Sequence, residues 1–402
     1  MRCGVPYMSE FKLSKTALLL LSVSLLMLAA VVHLSTTRLK EVNRAFFPLE
    51  SAVSNLTLRC SEGSPLWLES ALISAVKDLK ALSGQVALVR SDGSVGHCEI
   101  GGLQRFEFLG ERVSVQTRFR YGSLTKPITA AAVMRAVADG KIGLDSEIDQ
   151  ILWNGNGHQE KIDWPLKVQV GDLLSHRSGF YQRDRDSVFV VGDKPWCPYS
   201  MANLASLKVN RDRPVEYSNL NYCLLGVMLE KVYQKKYREL VNEFFDLEGR
   251  GIKFAEYRYE KDEVWHDYRY NQMYSEINRG KFDFYAISSG AGMTGSAYSY
   301  AFLMHEIVMS DLGSLLLQGR PDSCDNKAIR NCFGYAFYEY SPRVGELLYV
   351  KEGYLPGAAG VVALSQFGDV FVWLGNSDTE NAASGELMKK FLVRISNHIH
   401  GI

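Results

Sequence analysis

Two short segments, nearly a hundred residues apart, hold the residue types that could do chemistry: Tyr121-Gly122-Ser123-Leu124-Thr125-Lys126-Pro127 and Tyr217-Ser218-Asn219. Ser123 stands three residues before Lys126, at what reads as the start of a helix. Residues three apart share a helix face, so the Lys126 ammonium can reach the Ser123 hydroxyl. A serine hydroxyl is a weak nucleophile until a neighbouring base takes its proton. A desolvated lysine with a depressed pKa can be that base, and the phenol of Tyr217 would be a second proton carrier. The chemistry suggested is that of a serine hydrolase working without histidine. A lone Ser-x-x-Lys arises often by chance and reads equally well as a helix N-terminus with a solvated lysine. Tyr217 alone reads as a core-capping phenol and Asn219 alone as a cap or turn residue. The context decides.

Ser123 to Ala130 runs into an apolar, alanine-rich helix ending near Gly140. Downstream stand Val170-Gly171-Asp172-Leu173-Leu174-Ser175-His176-Arg177-Ser178-Gly179, then Tyr217-Ser218-Asn219-Leu220-Asn221-Tyr222-Cys223-Leu224-Leu225-Gly226, then Lys351-Glu352-Gly353-Tyr354-Leu355-Pro356-Gly357. In this order the set resembles the serine β-lactamase-like family, which includes class C β-lactamases, D-Ala-D-Ala carboxypeptidases, D-aminopeptidases and related esterases. The resemblance covers roughly residues 65 to 400. It implies an α+β fold, an antiparallel sheet flanked by helices with a mostly helical inserted region. It also implies acyl transfer on a peptide, amide or ester: Ser123 as nucleophile, Lys126 and Tyr217 sharing the proton work, and Lys351 placing positive charge beside Tyr217. Asn219 would bind the substrate amide or orient Lys126. The backbone N–H groups of Ser123 and Tyr354 would hold the oxyanion, with Gly353 between Glu352 and Tyr354. His176, in the Leu-Leu-Ser-His-Arg-Ser-Gly turn, reads as structural, near the rim of the site.

One element departs from the family pattern. Where the family shows Lys-Thr-Gly or His-Thr-Gly, this chain has Lys351-Glu352-Gly353. An inward-pointing glutamate would repel a substrate carboxylate, which argues against β-lactams and D-Ala-terminated peptides; an outward-pointing one on an edge strand would matter little. Tyr354 is also larger than the family's usual glycine or serine, so a narrower pocket is expected. Three readings stand: an exported serine hydrolase, a β-lactamase or D-Ala-D-Ala carboxypeptidase, and an inactive binding or scaffold relative.

Composition bounds the rest. The chain has 402 residues, with 45 Lys+Arg against 45 Asp+Glu, so no global charge draws it to nucleic acid. No nucleotide-binding glycine loop and no metal-ligand spacing stand out, so neither cofactor nor metal is expected. The expected partners are a small-molecule or peptide substrate and a membrane. The membrane expectation comes from residues 16–34, nearly all apolar and long enough, at about 28 Å of helix, to cross a bilayer core. Basic residues balance on its two sides (Arg2, Lys12 and Lys15 against Arg38, Lys40 and Arg44), so charge does not set its orientation. A short tail before a large domain favours an uncleaved signal anchor with the domain outside the cytoplasm, periplasmic or extracellular, over a cleaved signal. Of seven cysteines, six follow the span, permitting disulfides in an oxidising compartment. Cys324 with Cys332 is the first expected pair and Cys60 with Cys98 the second; Cys223 reads as a buried thiol unless Cys197 reaches it.

The patterning predicts a tail (1–15), the span (16–34), a charged stalk (35–63) and one catalytic domain (64–402) whose helical region covers about 141–285. Within the domain it predicts a helix over Leu66–Leu82, a hairpin of Val86–Arg90 and Val95–Ile100 around an Asp92-Gly93 turn, and a third strand over Val113–Tyr121. It further predicts a helix over Tyr222–Tyr233, a glycine-marked turn over Ser288–Ser296, and strands over Tyr335–Tyr340, Glu346–Lys351, Ala358–Gln366 and Val370–Gly375. A last amphipathic helix is expected over about Glu380–His398.

Overall fold

The structure, a computed structural model, describes residues 14–103, 110–153, 167–180, 210, 212–256, 258–264, 283–319, 323–355, 357–377 and 379–401. It separates into two compact units at Leu49 and Glu50. The first contains α1 (Lys15–Thr37), opened by the Ser14 hydroxyl, which accepts from the Ala17 N–H at 3.1 Å. Its 23 residues would extend about 34 Å, and its Lys15–Leu34 stretch is apolar, with none of it buried. α2 (Leu39–Asn55) follows and runs across the boundary.

The second unit is built on an antiparallel sheet of eight strands in the order β1-β3-β2-β11-β10-β9-β8-β7. The strands are β1 (Arg59–Cys60), β2 (Gly84–Val89), β3 (Val95–Ile100), β7 (Cys332–Phe333), β8 (Tyr338–Tyr340), β9 (Leu348–Leu355), β10 (Ala358–Ser365) and β11 (Val370–Gly375). Every residue of β2, β10 and β11 is buried, because both faces of the sheet are covered. Alternation on β11 shows how. Val370, Val372 and Leu374 join the large core that also holds α4 (Thr125–Ala138), the helix Asn219–Tyr233 and the helix Ala297–Met309. Phe371 and Trp373 face the other way, against Trp67 on α3 (Leu66–Asp78) and Phe391 on the C-terminal helix Gly385–Ile399. A second, three-stranded sheet runs β4-β6-β5, from Phe119–Arg120, Met293–Gly295 and Lys253–Phe254. The α+β class follows from these layers.

The hairpin turn forms as expected: Gly93 takes φ +83° and Asp92 Oδ1 accepts from the Ser94 N–H at 2.8 Å. Some expectations need correction. The strand expected over Val113–Tyr121 shrinks to β4, which pairs with Gly295 and Thr294 outside the main sheet. Its arginines are held instead by ion pairs, Arg118 to Asp262 at 3.0 Å and Arg120 to Glu263 at 2.7 Å, the latter pair almost wholly buried. β9 runs on to Leu355, because pairing with β10 continues from Leu348↔Ser365 to Leu355↔Ala358. The segment expected as a stalk is mostly regular structure: α2 is helical, and β1 joins β3 with Arg59 opposite Glu99 and Cys60 opposite Cys98. Cys60–Cys98 and Cys324–Cys332 are disulfides. Cys223 is buried and disulfide-bonded rather than a free thiol; Cys197 and Cys3 lie outside the described residues.

Candidate active site

The site forms where α4 points its first turn at β9. Gly122, Ser123 and Leu124 make a 3-10 turn that leads directly into α4. Pro127 sits in the first helical turn, where its missing N–H costs nothing. The turn is fixed from outside: the Tyr300 hydroxyl donates to the Leu124 carbonyl at 2.7 Å, and the Tyr121 hydroxyl to the Ser296 carbonyl at 3.0 Å. Two glycines let the turn and the strand touch. A Cβ on Gly353 would lie 2.1 Å from the Tyr121 carbonyl oxygen, and one on Gly122, which has φ +53°, would lie 3.0 Å from the Tyr354 nitrogen. The backbone beside Ser123 therefore rests on the backbone of Tyr354.

Ser123 is half-buried at the centre of a polar cluster. Lys126 Nζ lies 3.0 Å from Ser123 Oγ, 2.7 Å from Asn219 Oδ1 and 2.8 Å from the Gly290 carbonyl oxygen. The Tyr217 hydroxyl donates to Ser123 Oγ at 2.7 Å, and Lys351 Nζ donates to the Tyr217 hydroxyl at 3.3 Å. Both ammonium groups also sit near the Tyr217 ring, 5.1 Å from its centroid for Lys126 and 4.7 Å for Lys351. Lys126 is fully buried; that burial, and secondarily the Lys351 charge, hold its pKa well below the usual lysine value. Burial pushes Lys351 down to about 8, with Glu352 opposing and Arg330 adding to the shift.

Each contact has a local origin. Asn219 is the first residue of the helix Asn219–Tyr233 and Ser218 its cap position, so Tyr217 lies on the extended approach to that helix. Tyr217 is backed by His176, whose ring centroid lies 4.4 Å from its own. His176 is buried at φ +57°. Burial, then the Lys126 and Lys351 charges, hold its imidazole well below the usual histidine value. It is neutral, and its Nδ1 accepts from the Ser218 N–H at 3.3 Å. The His176 carbonyl accepts from the Glu216 N–H at 2.9 Å, so the turn grips the Tyr217 segment from two sides.

The structure thus brings Ser123, Lys126, Tyr217, Asn219, Lys351, Gly353 and Tyr354 to one place. It alters the expectation for Glu352. This carboxylate is buried, 6% exposed, and takes a forked pair of hydrogen bonds from Arg330, Nε at 2.6 Å and Nη2 at 3.1 Å. It is neither a free charge facing substrate nor an exposed edge residue. The Tyr354 hydroxyl is held at 2.9 Å by the Ala382 carbonyl and at 3.2 Å by Arg330 Nη2. Three contributors escaped the sequence reading. Gly290 lay inside the glycine-marked turn, but nothing marked its carbonyl as a lysine acceptor. Arg330 lay inside the expected Cys324–Cys332 loop, where a charge reads as solvated. Phe333, whose ring centroid lies 5.9 Å from that of His176 and 6.3 Å from that of Tyr217, looked like one aromatic among many.

Comparison with known proteins bears on family and fold. The Beta-lactamase family model matches residues 71–384. A putative fimbrial assembly protein FimD, serogroup D, of Dichelobacter nodosus is 30% identical over 379 residues, covering 92% of this chain and 94% of that protein. Esterase EstB of Burkholderia gladioli is 36% identical over 100 residues, 25% of each chain. Among solved structures, the D-amino acid amidase of Ochrobactrum anthropi SV3 superposes with a TM-score of 0.62 at 17% identity, over 83% of this chain and all of that one (100%), a likeness of fold. With a family match across most of its length and a relative aligned nearly end to end, this chain belongs to the β-lactamase family of serine hydrolases.

Proposed function

We propose that this protein is an exported, membrane-tethered serine hydrolase that forms an acyl-enzyme at Ser123 on an amide, peptide or ester. The observation that carries the reading is the Ser123 hydroxyl held between two proton carriers, Lys126 at 3.0 Å and Tyr217 at 2.7 Å. The partners of Lys126 sort themselves by chemistry. Asn219 Oδ1 and the Gly290 carbonyl can only accept, whereas a serine hydroxyl can donate. A neutral Lys126 therefore gives its two N–H bonds to Asn219 and Gly290 and turns its lone pair to the Ser123 O–H. That is the geometry of a general base. Tyr217, with the Lys351 ammonium beside its oxygen, then donates a proton to the leaving group as the tetrahedral intermediate collapses. The backbone N–H groups of Ser123 and Tyr354 stabilise the oxyanion, donors of a kind whose loss costs about 10²–10³-fold in rate. Water enters on the same face and the same groups run in reverse to release the acid.

Export is supported by α1, apolar and long enough to cross a bilayer, and by disulfides, which persist in oxidising compartments. The FimD relatives suggest a fimbrial-assembly setting, and the partial match to an esterase fits an ester substrate. One observation favours a second reading: Arg330 neutralises Glu352, so the charge that argued against a substrate carboxylate is already paired, and a penicillin or D-Ala peptide remains a substrate to test. The test is intact mass after exposure to a fluorophosphonate and, separately, to benzylpenicillin. The expected result is a fluorophosphonate adduct absent from Ser123→Ala. An added penicilloyl mass, also lost in that variant, would select the second reading. No adduct with either reagent would turn the assignment to a binding relative without turnover.

A further inference from the structure

Arg330 is placed to control the part of β9 that faces Ser123. β8 pairs with β9 only from Tyr340↔Leu348 to Tyr338↔Val350. Beyond Val350, among the described residues, no strand covers the outer edge of Lys351–Leu355, while β10 pairs its inner edge throughout. Substrate needs an open edge, but a strand hydrogen-bonded on one side is softer than one held on both. Arg330 takes the place of the missing neighbour. Its guanidinium grips Glu352 with a fork of two bonds, reaches the Tyr354 hydroxyl at 3.2 Å, and anchors at 3.1 Å on the Ala383 carbonyl. The Tyr354 hydroxyl in turn donates to the neighbouring Ala382 carbonyl. A planar guanidinium can make such a fork and an ammonium cannot. Glu352 is too buried to leave unpaired, so strand and clamp are coupled.

The clamp is itself held from behind. Arg330 has φ +61°, a left-handed backbone that a non-glycine residue keeps only when its surroundings impose it. It lies within the short loop closed by the Cys324–Cys332 disulfide. Cys332 is buried in β7 and pairs with Glu339, and the adjacent Phe333 lies against His176 and Tyr217. The closed loop and the residue that follows it thus touch both walls of the site, Arg330 on the Tyr354 side and Phe333, just past the crosslink, on the Tyr217 side.

We propose that the Cys324–Cys332 loop is a positioning device for catalysis: through Arg330 it fixes Glu352 and Tyr354, and so fixes the Tyr354 N–H relative to Ser123. Arg330 is then a positioning residue and touches no reacting atom. The inference rests on the acyl-enzyme reading above. Because the substrate meets Ser123 and not Arg330, loosening the clamp changes the barrier more than substrate affinity. A donor displaced by about an ångström loses most of its contribution, on the order of 10²-fold.

The test uses the full chain and two probes, p-nitrophenyl butyrate turnover and the rate of fluorophosphonate labelling. Arg330→Ala and Cys324→Ser/Cys332→Ser should each lower kcat about 10- to 100-fold with KM within about twofold. Combined, they should fall no further than the worse of the two, because both break one device. Arg330→Lys, which keeps the charge and loses the fork, should stay within about threefold of Arg330→Ala in kcat, and it serves alone if the cysteine variant does not fold. Unchanged kcat in Arg330→Lys, losses that multiply in the combination, or a rise in KM with kcat preserved would each overturn the proposal. A wild-type protein that neither labels nor turns over would instead overturn the acyl-enzyme reading on which it stands, a separable outcome.

Discussion

At the residue scale, the site is an arrangement of two lysines that cannot both be ordinary. Lys126 is buried beside Lys351, and each shift favours loss of a proton. If Lys126 must be neutral and Lys351 charged, activity rises with pH through the depressed Lys126 value and falls again as Lys351 loses its proton near 8. The kcat/KM profile on an ester should therefore bend down close to pH 8. Lys351→Arg, which keeps its charge throughout this range, should move that limb beyond the measurable window, while a limb left in place would assign it to another group. Ser123→Ala should lower turnover by at least about 10³-fold, while its unfolding free energy shifts by less than about 1 kcal/mol, read by denaturant titration. The closeness of Ser123 and Lys126 was legible because helical spacing places i and i+3 together whatever the fold. Tyr217, Asn219 and Lys351 were legible only through the resemblance, since no local rule brings residues 94 positions apart to one hydroxyl. Gly290 was not legible, because a carbonyl acceptor leaves no trace in side-chain type.

At the element scale, the site depends on how closely the turn before α4 can approach β9. Gly353→Ala would drive a methyl carbon to 2.1 Å from the Tyr121 carbonyl, and backbone cannot yield as a flexible side chain can. The expected cost is about 3 kcal/mol of stability, with a kcat loss out of proportion to it, measured by chemical denaturation and ester turnover. The buried Arg120–Glu263 pair holds β4, and hence Tyr121 and the turn, to the segment at 263. Burial raises the Glu263 carboxyl, with Arg120 opposing. Glu263→Ala would leave the guanidinium buried with its main partner gone, destabilising by about 3–5 kcal/mol. These elements also show where sequence patterning stops. Strands with both faces covered, β2, β10 and β11, carry continuous apolar runs and were found to within a residue or two. β4 and the residue before it carry two arginines, Arg118 and Arg120, whose partners lie some 140 positions away (Asp262 and Glu263), so the pattern suggested a longer strand than forms.

At the scale of the whole molecule, α1 and the catalytic unit are separable in the chain. The full protein is expected in the membrane fraction and resistant to an alkaline carbonate wash, whereas a chain lacking residues 1–37 should be soluble and match its kcat on p-nitrophenyl butyrate. A mature N-terminus found just after Leu34 would show a cleaved signal instead. The apolar helix α1 was legible by length and composition; the fate of the residues after it was not, because β1 takes its structure from pairing with β3. The join at β1 has a mechanical consequence. Tension along the chain from its N-terminal side meets the sheet at Cys60, which is bonded to Cys98 on the neighbouring strand. The load passes through that covalent link into β3 instead of peeling β1 away one hydrogen bond at a time. A protein pulled at that end would show a short, abrupt extension arrested at the crosslink.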